Sequence, residues 1–240
     1  NTKEPMEFRI EHTLSALPRD STLALFVRED KTALRKARRD LTRQFGMGLT
    51  LPLRSGDFQG KEGEVLTLYP SRGVFQRLLV VGLGTVSTIS LETIRQASAT
   101  AARKAESLSS SSLTIALSTL PTIRRDGAAA IAEGVLLGVY RFDRYQTVRK
   151  PGDEKRLLQT ILFAPARRDH RELARGLEDG RVIAEATVLA RDLANTPGND
   201  LFPQSLADAA QEAGNRSGFT VSVLYEKEID KLGMGGILAV

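Results

Sequence analysis

A run of turn-forming residues, Asn-Thr-Pro-Gly-Asn at positions 195–199, divides this chain. Asn and Gly accept left-handed backbone, Pro fixes φ, and the residue before a Pro is pushed out of the helical region. Residues 167–194, directly before the run, carry apolar side chains at helical spacing without an internal proline. A long helix therefore ends at this run and a new unit begins, so the sequence predicts a domain boundary here.

Before the long helix, short apolar runs alternate with helical patterns. Several of these runs are apolar at nearly every position, which is typical of strands buried on both faces. We therefore predict an α/β fold, with a mixed, mainly parallel sheet between helices, for a first domain at residues 1–165. Strands are predicted at residues 6–12, 22–27, 63–69, 77–81, 113–117 and 157–164, and helices at residues 30–43, 91–106 and 126–142.

The long helix, which we assign to a linker at residues 166–195, is apolar on two faces. A helix that is apolar over this much of its circumference is not free in solvent. We expect it to bridge two packed bodies or to lie in an oligomer interface. One face comprises Leu173, Leu177, Ala184 and Val188, and the other comprises Val182, Ala186, Leu189 and Leu193.

Residues 196–240 are predicted to hold the first β/α part of a second α/β domain. A proline suits the first turn of a helix, where its missing N–H is harmless, and a glycine commonly ends one. A chain that stops on an apolar strand start about 40 residues into a new domain is expected to be truncated. The predicted elements are a helix from Pro203 to Gly214, a strand at residues 219–224, a short helix at residues 226–232 closed by Gly233, and a strand beginning at Gly235.

Composition excludes several classes of protein. The 240 residues include no Cys, so the chain has no disulfide framework, no thiolate metal site and no cysteine nucleophile. No apolar run approaches the roughly 18 residues that span a membrane, and the first residues, Asn-Thr-Lys-Glu-Pro, contain no apolar signal core. We therefore expect a cytoplasmic protein that does not engage a membrane.

The net charge is +5, which favours anionic partners in a general way. Much of the basic excess falls in short clusters on or beside predicted helices, with acidic residues interspersed. Such mixed charge is typical of solvated helix faces. A nucleic-acid surface is the alternative, although no recognised DNA-binding motif or aromatic platform accompanies the charge. The clusters lie at residues 35–39, 124–125, 141–150 and 167–168.

The turn Gly82-Leu83-Gly84, between a predicted strand and a predicted helix, matches half of a dinucleotide-binding fingerprint. The third glycine of that fingerprint would fall at Ser87, and no acidic residue ends an obvious second strand about 20 residues further on. We interpret the glycines as a tight strand-to-helix turn. A phosphate or nucleotide site remains the alternative.

Spacing alone reveals no complete catalytic site. The two histidines, His12 and His170, are far apart in sequence, and neither has a partner at metal-ligand spacing. The H-E-x-x-H, G-x-S-x-G and P-loop motifs do not occur. Carboxylates near turns or helix ends are assigned to capping or ion pairing rather than to catalysis. These carboxylates are Glu133, Asp143, Asp192 and Asp200.

Three stretches together resemble the leucyl aminopeptidase family, also called the cytosol aminopeptidases. Residues 77–84 form the first, and residues 133–147, E-G-V-L-L-G-V-Y-R-F-D-R-Y-Q-T, form the second, with Gln146 at a position where the family usually has Lys. The third combines residues 190–203 with residues 225–240, which end in L-G-M-G-G-I-L-A-V. The stretches cover most of the chain and keep the family's order.

The resemblance implies a two-domain enzyme that removes N-terminal residues, Leu preferred, from peptide substrates. It implies a macro-type N-terminal domain that contributes to assembly of a homohexamer, and a long helix that leads to a catalytic domain. In the family that domain holds two divalent metals, Mn²⁺ or Zn²⁺, through a Lys and several Asp and Glu side chains. The paired metals activate a water and polarise the scissile carbonyl.

The family's metal-ligand stretches lie beyond the position that corresponds to Val240. We therefore assign no catalytic, cofactor-binding or metal-binding residue in this chain, and expect it to bind no metal, to lack peptidase activity and to serve assembly. Asn195, Pro197 and Asn199 match family positions and are expected to shape the start of the catalytic domain. The alternative is a binding module, for DNA or for ADP-ribose or another nucleotide at the turn of Gly82 and Gly84.

Overall fold

A computed structural model describes residues 6–18, 20–46, 55–120, 123–147, 159–164 and 169–239. The chain forms two compact units, Asn1–Val188 and Leu189–Val240. Pro165, where we expect the first domain to end, lies outside the described residues. Among the helices that are described, none is long and apolar enough to cross a membrane.

Among the described residues, the first unit contains a six-stranded sheet and four helices with both ends defined. Its strands are β1 (Glu7–Glu11), β2 (Thr22–Val27), β3 (Val65–Leu68), β4 (Arg77–Gly82), β5 (Ser112–Ala116) and β6 (Gln159–Phe163). Its helices are α1 (Lys31–Phe45), α2 (Leu91–Ser107), α3 (Arg125–Gly138) and α4 (His170–Asn195), the last of which continues into the second unit. Short 3₁₀ turns lie at Leu14–Ala16, Val86–Thr88 and Leu117–Thr119.

The sheet has the strand order β1-β6-β5-β2-β4-β3. Every neighbouring pair is parallel except β3 with β4, which is antiparallel. The prediction of a mixed, mainly parallel sheet is therefore confirmed. The predicted strands of the first unit all form, with bounds that differ by a few residues at some ends.

Both faces of the sheet are covered. Leu79 and Val81 of β4 belong to one apolar core, with α2, α3 and α4, whereas Leu78 and Val80 belong to a second core, with α1. All four side chains are completely buried. A strand that alternates between two cores reads as a continuous apolar run, which is why the sequence shows no alternation there.

The starts of two helices follow their sequence signals. The Asp30 carboxylate accepts a hydrogen bond from the Ala33 N–H at 2.7 Å and caps α1. The hydroxyl of Ser90 caps α2 and accepts from the Thr93 N–H at 3.2 Å. Both bonds satisfy donors that a helix cannot satisfy within its first turn.

The predicted extension of α3 to residue 142 is wrong, because the helix ends at Gly138. Beyond it, the guanidinium of Arg141 donates to the largely buried carboxylate of Glu106 at 2.9 Å. The rings of Phe142 and Tyr145 pack with centroids 5.8 Å apart. These tertiary contacts replace the helical turn that the apolar spacing indicated.

Two pairs of glycines allow close contact between helices. A Cβ at Gly134 or Gly138 of α3 would lie 2.1 or 2.8 Å from backbone atoms of α2. On α4, a Cβ at Gly176 or Gly180 would lie 2.1 or 2.3 Å from backbone oxygens of α3. In each pair the glycines are four residues apart and share one helix face, so three helices pack backbone to backbone over the sheet.

The face of α4 that carries Leu173, Leu177 and Ala184 is buried in the first unit. Val182, on the other predicted apolar face, is 55% exposed, and the adjacent Ile183 is 51% exposed. The helix therefore uses one of its two apolar faces in the core of the first unit.

The second unit contains the end of α4 and three further helices, α5 (Pro203–Ser217), α6 (Glu226–Lys231) and α7 (Gly235–Leu238). Pro203 stands in the first turn of α5, as predicted. The prediction that Gly214 ends this helix is wrong. Gly214 is buried inside α5, where a Cβ would meet the Phe219 oxygen at 2.7 Å, and the left-handed residue that ends the helix is Gly218.

The strands predicted at residues 219–224 and from Gly235 are also wrong for this chain. Residues 219–224 pair with no strand among the described residues, and residues 235–238 form α7. An alternating pattern describes a segment that suits a sheet, but a strand requires a neighbour to satisfy its N–H and C=O groups. Without such a neighbour, residues 235–239 make local helical bonds, such as Ala239 N–H to Gly235 O at 3.1 Å.

Candidate functional site

The turn after β4 occupies the edge of the sheet where parallel strands end, which is the usual ligand position in open α/β sheets. Its backbone N–H groups are already engaged, so the turn offers a phosphate no free donor. Each donates to a backbone carbonyl at 2.9 Å: Gly82 to Glu64, Leu83 to Val27, and Gly84 to Gly60.

The neighbouring loop is closed by its own carboxylate. Glu64 Oε2 accepts hydrogen bonds from the N–H groups of Gln59, Gly60 and Lys61 at 2.8, 2.9 and 3.1 Å. Successive N–H groups of this kind form a concavity that attracts anions. Because Glu64 fills the concavity, this edge has the geometry of a tight turn rather than of a nucleotide site.

Glu133 forms an ion pair, as its assignment predicts. Its carboxylate accepts from Arg95 Nε at 2.8 Å, and its side chain is 12% exposed. Arg95 also pairs with Glu92. Hydrogen bonds from Gln96 and Arg95 hold the pKa of Glu92 below its usual range. The contact between α2 and α3 therefore accounts for Glu133 without a catalytic role.

The other predicted carboxylates lie apart from Glu133, with Asp192 inside α4 and Asp143 and Asp200 in turns. The Asp143 carbonyl accepts from the Gln146 N–H at 3.1 Å in the first unit. In the second unit, the Asp192 carbonyl accepts from the Thr196 hydroxyl at 2.7 Å, and the Asp200 N–H donates to Pro197 O at 2.9 Å. Within the described part of the chain, no three or more His, Asp, Glu or Cys side chains are placed to hold a metal ion together.

The run at residues 195–199 forms the connection between α4 and α5. α4 ends at Asn195, and the Pro197 carbonyl accepts from the N–H groups of both Asp200 and Leu201 at 2.9 Å. The backbone reverses through these bonds before α5 begins. This geometry suits the shaping role that we expect for Asn195, Pro197 and Asn199.

The structure brings together the two histidines that the sequence left apart. His12 Nε2 lies 3.0 Å from His170 Nδ1, and His12 Nδ1 lies 2.5 Å from Ala164 O. His12 directly follows β1, and His170 begins α4, which follows β6. Because β1 and β6 are parallel neighbours, their carboxyl ends meet at one edge. The spacing of residues along the sequence does not reveal the strand order, so it could not indicate that the two histidines meet.

Residues 24–149 match the model of the cytosol aminopeptidase family, N-terminal domain. The chain belongs to this family. Residues 188–240 match the model of the cytosol aminopeptidase family, catalytic domain, so the second unit carries part of that domain. The family resemblance predicted from the three sequence stretches is confirmed.

Curated relatives of the family extend well beyond this chain. A probable cytosol aminopeptidase of Roseiflexus castenholzii is 38% identical over 191 residues, which cover 78% of this chain and 39% of the relative. One of Alkaliphilus metalliredigens is 30% identical over 223 residues, which cover 91% of this chain and 44% of the relative. The chain spans about two fifths of the length of these relatives.

Two solved structures share the fold of this chain. The bottromycin maturation enzyme BotP in complex with Mn is 26% identical with a TM-score of 0.67, over 89% of this chain and 40% of that one. A mutant of tomato leucine aminopeptidase is 21% identical with a TM-score of 0.77, over 97% of this chain and 47% of that one. The tomato likeness supports the α/β fold alone.

Proposed function

We propose that this chain is the N-terminal portion of an aminopeptidase that releases N-terminal amino acids from peptides. The observation that carries the proposal is the order of the two family matches, residues 24–149 and then 188–240. We propose that the full-length enzyme uses two divalent metals, Mn²⁺ or Zn²⁺, and prefers Leu. The Mn in the BotP complex supports the metal class.

The described residues do not fit a two-metal site, because they bring no three potential ligands together. We therefore assign them no catalytic step. In the proposed enzyme this chain supplies assembly and the entry to the catalytic domain, within a homohexamer in the cytoplasm. The exposed Val182 and Ile183 on α4 support a role in assembly.

The second unit also supports the proposal that this chain is only the entry to the catalytic domain. Gly214 is the only fully buried residue among the described residues 189–239. Apolar side chains that a folded core would cover are 48–60% exposed there, namely Phe202, Leu206, Phe219, Leu232 and Ile237. Such a surface needs a further protein layer, which in this proposal is the remainder of the catalytic domain.

The protein made from the complete reading frame tests this proposal. We expect it to hydrolyse leucine p-nitroanilide after addition of Mn²⁺ or Zn²⁺, faster than the alanine and glutamate analogues. A chelator should remove the activity, because the proposed metals supply the nucleophile and polarise the carbonyl. A metal-loaded, folded full-length protein that cleaves no amino-acid p-nitroanilide would contradict the proposal.

A second candidate function, binding of DNA, is favoured by the charge of α1. Lys31–Phe45 contains six Lys or Arg residues and one Asp, which gives a net +5 and equals the net charge of the whole chain. Lys31, Arg35, Lys36, Arg39 and Arg43 are exposed. Five of the six cations of this helix are therefore exposed, as a surface for phosphates would require, although Arg39 also pairs with Asp40 at 3.6 Å.

A salt-dependent gel shift with duplex DNA tests this second function. If α1 contacts phosphates, replacing Arg35, Lys36 and Arg39 by Gln should weaken binding about tenfold or more and flatten the salt dependence, since each contact contributes roughly −0.9 to the slope. The matched control replaces the exposed Arg171, Arg216 and Lys227 by Gln, with the same change in charge. Equal loss of binding in the α1 variant and the control variant, or no gel shift at low salt, would contradict DNA binding by α1.

A further inference from the structure

The two histidines of the chain form a hydrogen-bonded pair that continues to a backbone carbonyl. A carbonyl oxygen accepts but cannot donate, so the proton of His12 is on Nδ1, which donates to Ala164 O at 2.5 Å. His12 Nε2 then carries a lone pair and accepts from His170 Nδ1–H at 3.0 Å.

The carbonyl behind His12 is the partner that metal-binding histidines have. A histidine that ligates a metal almost always donates its second N–H to a carbonyl, a carboxylate or water, which fixes the ring and raises the basicity of the ligating nitrogen. His12 already has this arrangement through Ala164 O. Its Nε2 is thus oriented before any ion arrives.

The distance between the rings also suits a shared ion. Metal–nitrogen bonds of roughly 2.0–2.1 Å place two ligand nitrogens about 3.0–3.4 Å apart for angles between square and tetrahedral. The observed separation of His12 Nε2 and His170 Nδ1 is 3.0 Å. An ion can therefore bind between the two nitrogens at nearly this separation, once the rings turn so that both lone pairs face it and His170 carries its proton on Nε2.

We propose that His12 and His170 form a two-histidine site for a transition-metal dication of the Zn²⁺ type, with water in the remaining coordination positions. Imidazole nitrogen suits Zn²⁺, Cu²⁺ and Ni²⁺, whereas Mg²⁺ prefers oxygen. The ion ties the end of β1 to the start of α4, across 158 residues of sequence. The site lies in the first unit and is separate from the metals proposed for the catalytic domain.

Two acidic residues lie near the start of α4, where Glu172 also pairs with Arg175 at 3.5 Å. Asp169 precedes His170, and Glu172 lies in the first turn of the helix, where both offset the positive end of the helix dipole. No third histidine or carboxylate in the described part of the chain completes a larger ligand set. The site is therefore open and exchangeable rather than a closed structural centre.

Nuclear magnetic resonance of the imidazole nitrogens tests the site directly, because the chain contains only these two histidines. The 240-residue chain, prepared without a polyhistidine tag, is titrated with ZnCl₂. We expect the imidazole signals of His12 and His170 to shift together along one binding curve. The same concentrations of MgCl₂ should shift neither.

Two asparagine variants separate ligation from hydrogen bonding. In His12→Asn and His170→Asn, the amide nitrogen replaces Nδ1, so each variant keeps its N–H donor but loses the imidazole ligand. We expect each to weaken Zn²⁺ binding by the remaining histidine at least about tenfold. Circular dichroism checks that the variants are folded.

Three results would overturn the proposal. The first is a pair of independent binding curves for the two histidines. The second is unchanged Zn²⁺ affinity of one histidine when the other is replaced. The third is the absence of any saturable shift up to about 1 mM Zn²⁺, the limit of weak specific binding.

Discussion

Gly134 determines how closely α3 can approach α2, because a Cβ there would lie 2.1 Å from the backbone oxygen of Arg95. Its neighbour Glu133 pairs with the same Arg95 through its side chain. The E-G pair at the start of the family stretch at residues 133–147 thus has a packing role. The sequence stretch around this pair indicated the family. The contacts of Glu133 and Gly134 with Arg95 of α2, which explain why these two residues are suited to their positions, are seen only in the structure.

Replacing Gly134 by Ala should destabilise the first unit by about 1–3 kcal/mol, because the added methyl forces α2 and α3 apart and outweighs the higher helix propensity of Ala. Urea unfolding followed by circular dichroism measures this change. Gly198→Ala is the control, since a Cβ there meets nothing within 4 Å. Equal unfolding midpoints for the two variants would show that the helices do not pack this closely.

Glu64 offers a second test at a single side chain. Its Oε2 accepts three N–H groups, and Glu64→Gln removes the charge while it keeps the size of the side chain. We expect a loss of about 1–2 kcal/mol in the free energy of unfolding, the difference between charge-assisted and neutral hydrogen bonds. Glu62→Gln, at an exposed position two residues away, should leave stability unchanged. A similar loss in both variants would contradict the closed-loop interpretation.

Between elements, the contact of α3 with α4 combines close glycine packing with an ion pair. Arg125 Nε and a terminal nitrogen of Arg125 donate to the two carboxylate oxygens of Asp179 at 2.5 and 3.0 Å. These hydrogen bonds hold the pKa of Asp179 below its usual range. Because the folded-state pKa is lower than that of the unfolded chain, the pair stabilises the fold at neutral pH, and this stabilisation is lost as pH falls through the folded-state pKa.

Asp179→Asn should therefore lower the urea midpoint at pH 7, and its difference from the unaltered chain should shrink between about pH 4 and pH 2. Glu62→Gln controls for the loss of an exposed carboxylate, and we expect it to leave the midpoint unchanged across this range. A deficit of the Asp179 variant that stays constant down to pH 2 would show that the charge of Asp179 does not stabilise the contact.

Elements were predictable where local signals and tertiary contacts agree. Apart from Thr22 in β2 and Arg77 in β4, these two strands are apolar, and each pairs with neighbours on both sides, so their sequences sufficed. The predicted end of α5 at Gly214 was wrong because that glycine packs against Phe219 inside the helix, a contact that local sequence does not show. Residues 219–224 lack a strand partner within the described chain, and periodicity cannot supply one.

For the molecule as a whole, the sequence predicted the family and the mixed sheet but missed the meeting of His12 and His170. That contact needs the strand order, which places β1 beside β6 at the edge of the sheet. The division into domains at residues 1–165, 166–195 and 196–240 stays a prediction. The boundary between the two compact units falls between Val188 and Leu189, inside α4.

We propose that residues 1–240 carry a scaffold and the entry to a catalytic domain, while the catalytic residues lie elsewhere in the protein. Hydrolysis of leucine p-nitroanilide by the purified 240-residue chain, with added Mn²⁺, tests it most directly. We predict no release of nitroaniline above the rate without protein, because no two-metal site forms among the described residues. Turnover that requires Mn²⁺, disappears with a chelator and co-purifies with the chain would show that residues 1–240 contain the catalytic residues.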